Sequence, residues 1–276
     1  MDQNQLIEKI VAEVVARMGT KTAATAPGAA LQSGASSAAT VPGGIQVAVL
    51  PSLAPTDVAK YIDHTMLRPE AVTAAFDKLC QEALTYKFFG VCVNSCRIAY
   101  VARKLQGSGV KVCSVVGFPL GAMTSRAKAF ETREALSDGA SEIDMVINIG
   151  MLKSGDYHGV EEDIRSVRRA TRANTILKVI IETALLTQDE KVMACELSKK
   201  AGADFVKTCT GFSGGGATVE DIALMRRVVG RDMGVKASGG VRTYKGAMAL
   251  IGAGANRIGC VSSVAIVTGA EGTSSY

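Results

Sequence analysis

With 276 residues, 47% of them hydrophobic, the chain is long and apolar enough for one large domain plus an appendage, which excludes disorder of the whole. Its formal charge of +5 comes from 31 basic and 26 acidic residues, dispersed without a basic block and with only 5% aromatics, a balance that counts against nucleic acid as a partner. An anionic substrate such as a phosphate ester suits a mildly basic protein, and so do many neutral ones.

The seven cysteines (Cys80, Cys92, Cys96, Cys113, Cys195, Cys209 and Cys260) are odd in number and contain no CxxC pair, so reduced, buried, cytosolic thiols are expected. No run approaches 18 uncharged apolar residues, and the start of the chain lacks the layout of a secretory signal. The expectation is a soluble, intracellular protein without a membrane partner.

In chain order, residues 3–18 place Leu6, Ile7, Ile10, Val11, Val14, Val15 and Met18 on one helical face and Glu8, Lys9, Glu13 and Arg17 on the other. This spacing predicts an amphipathic helix of about four turns within a segment 1–19. Residues 20–44 are almost entirely Ala, Gly, Ser, Thr and Pro, with Lys21 the single charge. They read as a flexible tether with an end-to-end distance of roughly 25 to 30 Å.

From residue 45 to 276 short β-rich segments alternate with helical stretches. Strands are predicted at Tyr61 to His64, Phe88 to Asn94, Val110 to Phe118, Glu142 to Asn148, Ile176 to Glu182, Phe205 to Thr210, Gly234 to Ala237 and Arg257 to Val261. Helices are predicted at 71–86, 95–106, 125–137, 157–171, 188–201 and 218–229. Two phrases, Asp138-Gly-Ala-Ser-Glu and Lys200-Ala-Gly-Ala-Asp, each carry a helix end into a strand with glycine as the stop signal. Eight βα units in about 230 residues predict an α/β fold, a (β/α)8 TIM barrel, although an open doubly wound sheet has the same local signals.

In such a barrel reactive side chains gather at the C-terminal ends of the strands. Lys207 lies in Phe205-Val-Lys-Thr-Cys-Thr-Gly211, and Lys236 occupies the corresponding place in Gly234-Val-Lys-Ala-Ser-Gly-Gly240. A buried lysine needs a partner or a task. Two neighbouring amines would leave one unprotonated and able to form an imine with a carbonyl. Asp144, in Glu142-Ile-Asp-Met-Val-Ile-Asn148, adds a carboxylate able to move protons. Asp144 with Lys207 could equally be a structural ion pair; the three residues together favour catalysis.

Gly239, Gly240 and Ser262 fit a phosphate site in the last two loops, whereas Gly214, Gly215 and Gly216 read as tight-turn residues. His64 and His158 are the only histidines, without paired spacing, so no metal site is expected; nor is a nucleotide cofactor, because no phosphate-loop or dinucleotide motif is present. His64 reads as a structural, hydrogen-bonded residue.

The ordered segments Tyr61-Ile-Asp-His-Thr-Met-Leu-Arg-Pro69, Glu142 to Asn148, Leu177-Lys-Val-Ile-Ile-Glu182, Phe205 to Gly211 and Val235-Lys-Ala-Ser-Gly-Gly-Val-Arg242 resemble the deoxyribose-phosphate aldolase family, a class I aldolase family. The resemblance implies reversible cleavage of 2-deoxy-D-ribose 5-phosphate to D-glyceraldehyde 3-phosphate and acetaldehyde without metal or organic cofactor. It implies Lys207 as the imine-forming lysine and Asp144 and Lys236 as proton-transfer partners. Asp63 and Thr65 would hold substrate hydroxyls or water, and Gly239, Gly240 and Ser262 the phosphate. Tyr276 is similar to a terminal tyrosine that assists protonation in some members.

Val261 stands where serine is common, which implies one phosphate-facing hydroxyl fewer, and Cys209 likewise replaces a serine. The leader and tether resemble the encapsulation peptides of bacterial microcompartment enzymes, which implies a shell or cargo protein as partner for residues 3–18 and the compartment lumen within the cytoplasm as location. Left open are another small carbonyl substrate for the same chemistry, a catalytically silent cargo or scaffold role, and assembly as a homo-oligomer.

Overall fold

The computed structural model describes residues 53–270 and 272. The predicted leader helix, the tether and Tyr276 lie outside the described residues.

Eight strands form: β1 (Ile62–Met66), β2 (Gly90–Val93), β3 (Lys111–Val116), β4 (Glu142–Val146), β5 (Ile176–Ile180), β6 (Phe205–Lys207), β7 (Gly234–Ser238) and β8 (Arg257–Cys260). They pair in sequence order, all parallel, and β8 returns to β1 through Ile62 opposite Ile258 and His64 opposite Cys260. That closing pair decides between the two topologies that the local signals allow, in favour of the (β/α)8 barrel.

The helices of the described residues are α1 (Pro55–Val58), α2 (Thr73–Tyr86), α3 (Ile98–Leu105), α4 (Ser125–Ser137), α5 (Ile149–Lys153), α6 (Tyr157–Ala170), α7 (Gln188–Lys200), α8 (Val219–Val229), α9 (Tyr244–Gly252) and α10 (Ser263–Thr268). All six predicted helices are present with trimmed ends. Several are started by side-chain caps: Thr124, Asp156 and Thr218 each accept a backbone N–H of the first turn, and Thr187 forms a reciprocal capping box with Glu190. The glycine stops work as predicted. After α7, Gly202 takes φ 83°, its N–H donates to Lys199 O, and Ala203 N–H reaches back to Ser198 O. Gly139 and Ala140 end α4 in the same way. Helix α9 is missing from the predicted set because Gly246 and Gly252 weaken its pattern; Thr243 caps it by accepting the Gly246 N–H at 3.0 Å.

Strand alternation sends Ile143 and Met145 outward against the helices and Glu142 and Asp144 into the lumen, where they bond residues of strands that are not their neighbours. Branched apolar side chains usually fill such a lumen. Here charged side chains fill much of it, with an apolar flank of Leu67, Cys92, Cys113 and Val115. At its base the Arg257 guanidinium lies 3.4 Å from the Phe89 ring centroid and 5.7 Å from that of Phe205.

A second buried pair fastens the scaffold to β4. Lys128 Nζ on α4 donates to Asp163 Oδ2 on α6 at 2.5 Å and to Val146 O at the end of β4 at 2.9 Å, with both side chains buried. Removing one partner leaves an uncompensated charge in the core. Asp163→Ala is therefore expected to destabilise the barrel by about 3 to 5 kcal/mol in urea unfolding, and the double replacement Lys128→Met with Asp163→Leu to recover most of that loss.

Candidate active site

Parallel register sets Asp144 beside Lys178 and Lys207 beside Lys236 on neighbouring strands, so four side chains converge in the lumen from β4, β5, β6 and β7. Asp144 is their hub. Its Oδ2 accepts from Lys207 Nζ and from Lys236 Nζ, both at 2.8 Å, and its Oδ1 accepts from Lys178 Nζ at 2.7 Å. Beneath this layer Lys236 Nζ also donates to Asp63 Oδ2 at 2.5 Å, and Lys178 Nζ lies 2.6 Å from Glu142 Oε2. Arg257 Nη1 then joins Asp63 Oδ1 at 2.8 Å to Glu142 Oε2 at 3.2 Å. The connected network holds four cations, Lys178, Lys207, Lys236 and Arg257, against three carboxylates, Asp63, Glu142 and Asp144.

Burial of Asp144 by itself disfavours its charge; Lys178, Lys207 and Lys236 overcome that and hold the carboxyl well below the usual range. Burial likewise opposes the charges of Lys178 and Lys236. The attractive partners together outweigh it, Asp144, Cys113 and Glu142 for Lys178 and Asp144 and Asp63 for Lys236, and both ammonium groups are held above the ordinary lysine value.

Above the network opens a cavity lined by Thr65, Lys207, Thr210, Ser238 and, at its outer end, by Gly239, Gly240, Arg242 and Ser262. Lys207 thus both faces the cavity and bonds Asp144. Gly239 and Gly240 take φ 91° and 72°, left-handed conformations that suit glycine. The triple-glycine segment packs onto this turn: a side chain at Gly216 would meet Gly239 O at 2.8 Å, and Ala217 N–H donates to that carbonyl at 3.0 Å. Gly259 also makes room, because a β-carbon there would lie 2.3 Å from Ser238 Oγ and 3.0 Å from Lys236 Cε.

Of the residues singled out in the sequence, Lys207, Asp144 and Lys236 meet directly, and Thr65, Gly239, Gly240 and Ser262 line the cavity. Asp63 sits one layer below, with both carboxylate oxygens given to Lys236 and Arg257. His64 faces outward from β1, its Nε2 2.8 Å from Glu82 Oε2 on α2. Val261 lines the cavity with an apolar side chain, and Cys209 Sγ turns to Thr183 Oγ1 at 3.3 Å.

Lys178, Glu142, Arg257, Ser238 and Glu182 were not singled out. The buried Ser238 Oγ, beside the cavity, has no hydrogen-bond partner among the described residues. Glu182, at φ 58°, accepts from Thr210 Oγ1, from Thr210 N–H at 3.2 Å and from Ser213 Oγ at 3.1 Å, and so fastens the loop after β6. Lysine in an apolar strand is the signal that marks Lys207, and it marks Lys178 equally.

A sequence model described as DeoC/LacD family aldolase matches residues 57–269. The chain is 60% identical over 219 residues to a deoxyribose-phosphate aldolase of Clostridium perfringens, covering 79% of this chain and 98% of that protein. A Brevibacillus brevis deoxyribose-phosphate aldolase is 60% identical over 216 residues, 78% of this chain and 97% of the relative. Among solved structures, the tetrameric deoxyribose phosphate aldolase of Aeropyrum pernix is similar, with a TM-score of 0.73 and 33% identity over 78% of this chain and 91% of that one.

The network makes stability sensitive to acid. Asp63 is buried, which raises its pKa, but Lys236, Arg257 and Lys178 more than offset this and bring it down to about 2. A carboxyl depressed in the native state leaves the unfolded chain binding more protons on acidification. Unfolding free energy is therefore expected to fall as pH drops from about 4 towards 2, with a shallower fall in Asp63→Asn, measured by urea unfolding across that range.

Proposed function

The chain belongs to the DeoC/LacD aldolase family, and on that premise we propose that it is a deoxyribose-phosphate aldolase acting through an imine on Lys207. It splits 2-deoxy-D-ribose 5-phosphate into D-glyceraldehyde 3-phosphate and acetaldehyde. The observation that carries the assignment of Lys207 is its place at the floor of the cavity, on the same Asp144 oxygen as Lys236. Four cations face three carboxylates there, so loss of one proton balances the network. Arg257 does not deprotonate in proteins. Lys178 and Lys236 are held charged by their carboxylates, and Lys207 is the lysine that borders the cavity.

The neutral Lys207 amine attacks the C1 aldehyde carbon, and the carbinolamine, taking up one proton from solvent, loses water to give the protonated imine; that proton returns to solvent when the imine is hydrolysed at the end of the cycle. A base, Asp144 acting with Lys236 or through a water molecule, takes the C3 hydroxyl proton. The C3–O electrons form the new carbonyl, the C2–C3 bond breaks, and its electron pair moves into the imine to give an enamine. Protonation of the enamine at C2 and addition of water release acetaldehyde and restore Lys207. Asp63 acts through Lys236, which it orients together with Arg257. Thr65, Ser238 and Thr210 surround the sugar end of the cavity; Gly239, Gly240, Arg242 and Ser262 form its phosphate end.

Borohydride added with acetaldehyde is expected to leave an ethyl group on Lys207, read by peptide mass, and Lys207→Ala to lose both the adduct and the retro-aldol activity. Asp144→Asn should slow turnover by about 10²- to 10⁴-fold. Faster turnover of unphosphorylated deoxyribose than of the 5-phosphate would sink the substrate assignment, and wild-type activity equal to that of Lys207→Ala would sink the enzymatic one.

Among the described residues no helix is long and apolar enough to cross a membrane. We further propose that residues 3–18 act as an encapsulation helix that delivers the enzyme to the lumen of a cytoplasmic protein compartment. What supports this is the seven-residue apolar face ahead of a tether in which Leu31 and Val41 are the only larger apolar residues. Deletion of residues 1–19 is expected to leave the specific activity of the barrel unchanged and to release it from shell particles on sedimentation; continued co-sedimentation would count against the helix.

A further inference from the structure

On the apolar flank of the lumen, Cys92 of β2 and Cys113 of β3 are directly opposed in the parallel register, and Asp144 projects from the next strand. One donor atom from each, two sulfurs and a carboxylate oxygen, all lie within 4.8 Å of one another, and all three side chains are buried. Cys113 Sγ already donates to Asp144 Oδ1 at 3.1 Å and accepts from Lys178 Nζ at 3.5 Å. Neither cysteine has a role in the imine chemistry above.

We propose that Cys92, Cys113 and Asp144 form a site for a thiophilic divalent cation, Zn²⁺ or Cd²⁺, whose binding switches the lysine centre off. Tetrahedral coordination with metal–sulfur bonds of about 2.3 Å and a metal–oxygen bond of about 2.1 Å needs donors about 3.5 to 3.8 Å apart. The Cys113–Asp144 contact, 3.1 Å long, must open by about 0.4 to 0.7 Å, and no pair of donors has to close by more than about 1.3 Å. A fourth position is left for water.

Charge favours the exchange. The cation enters with two positive charges, the two thiols become thiolates bonded to the metal, and two protons leave to solvent. No electron is transferred, and the net charge of the lumen is unchanged. Coordination itself deprotonates a thiol, so the cation supplies the drive for both ionisations. Coordination takes Asp144 Oδ1 from Lys178 and draws charge from the carboxylate that Lys207 and Lys236 share. Inhibition by this route rests on the aldolase reading; binding does not.

The test is a Cd²⁺ titration of the full chain in a Cys96→Ser background, which removes the one exposed thiol among the described cysteines, under a non-thiol reductant that prevents disulfide formation. The ultraviolet thiolate-to-cadmium absorption should report one ion and two thiolates. Its intensity should be halved in Cys92→Ser and in Cys113→Ser and lost in the double variant, whose circular dichroism and melting temperature check that the barrel is folded. Retro-aldol activity should fall in step with the band and return with a chelator, and the half-inhibiting Cd²⁺ should rise about tenfold or more in each single variant, relative to its own metal-free rate. Lys207→Ala should keep the band, which separates failure of the site from failure of the catalytic assignment. A band that persists in the double variant, or none at millimolar Cd²⁺, overturns the site; a full band without loss of activity overturns the switch.

Discussion

One carboxylate, Asp144, carries the centre of this molecule. A charge taken out of water costs several kcal/mol unless it is closely paired, and three lysines from three strands meet on its two oxygens. Each of those lysines would be intolerable in the lumen without it. The pairing continues downward through Asp63 and Glu142 to Arg257, wedged between two phenylalanine rings at the base. The interior of the barrel is thus an ionic framework where most barrels have an apolar plug, and its shape is fixed by strand register.

The same framework sets Lys207 apart from its neighbours. Lys178 and Lys236 are enclosed and each has two carboxylates, whereas Lys207 shares a single oxygen and borders the cavity. A carbonyl compound entering the cavity would meet the Lys207 side chain first. Glycine allows the rest: Gly259 leaves space for the Lys236 stem, and Gly216 lets two loops meet backbone to backbone at the outer end. Glu182, held in a left-handed conformation, ties Thr210 and Ser213 in place and gives the loop between them a fixed anchor.

The candidate site was partly legible because its residues break a pattern. Lysine or aspartate within a β-branched run is out of place by burial, and that contrast marks Lys207, Lys236 and Asp144 before any fold is known. Lys178 breaks the same pattern from the same place, the third residue of its strand as Lys236 is of β7, and nothing local separates the two. Glu142 and Arg257 open their strands, where charge is unremarkable. For Asp63 the family resemblance implies a holder of substrate hydroxyls or water, whereas in the structure its oxygens accept from Lys236 and Arg257, because both are needed to balance buried cations. Cys92, Cys113 and Asp144 share no spacing motif, since their donors come from three separate strands.

The sequence by itself determined the periodicity of eight βα units, the helix starts and glycine stops, and the three polar intrusions that mark the candidate site, because these depend on neighbours within a few residues of each other along the chain. Only the tertiary structure decided that the sheet closes, which carboxylate oxygen each cation shares, and which lysine meets the cavity. Those outcomes depend on the register between strands and on contacts across the lumen between residues as far apart in sequence as Asp63 and Arg257. Local propensity carries no information about that distance; closure of the barrel creates it.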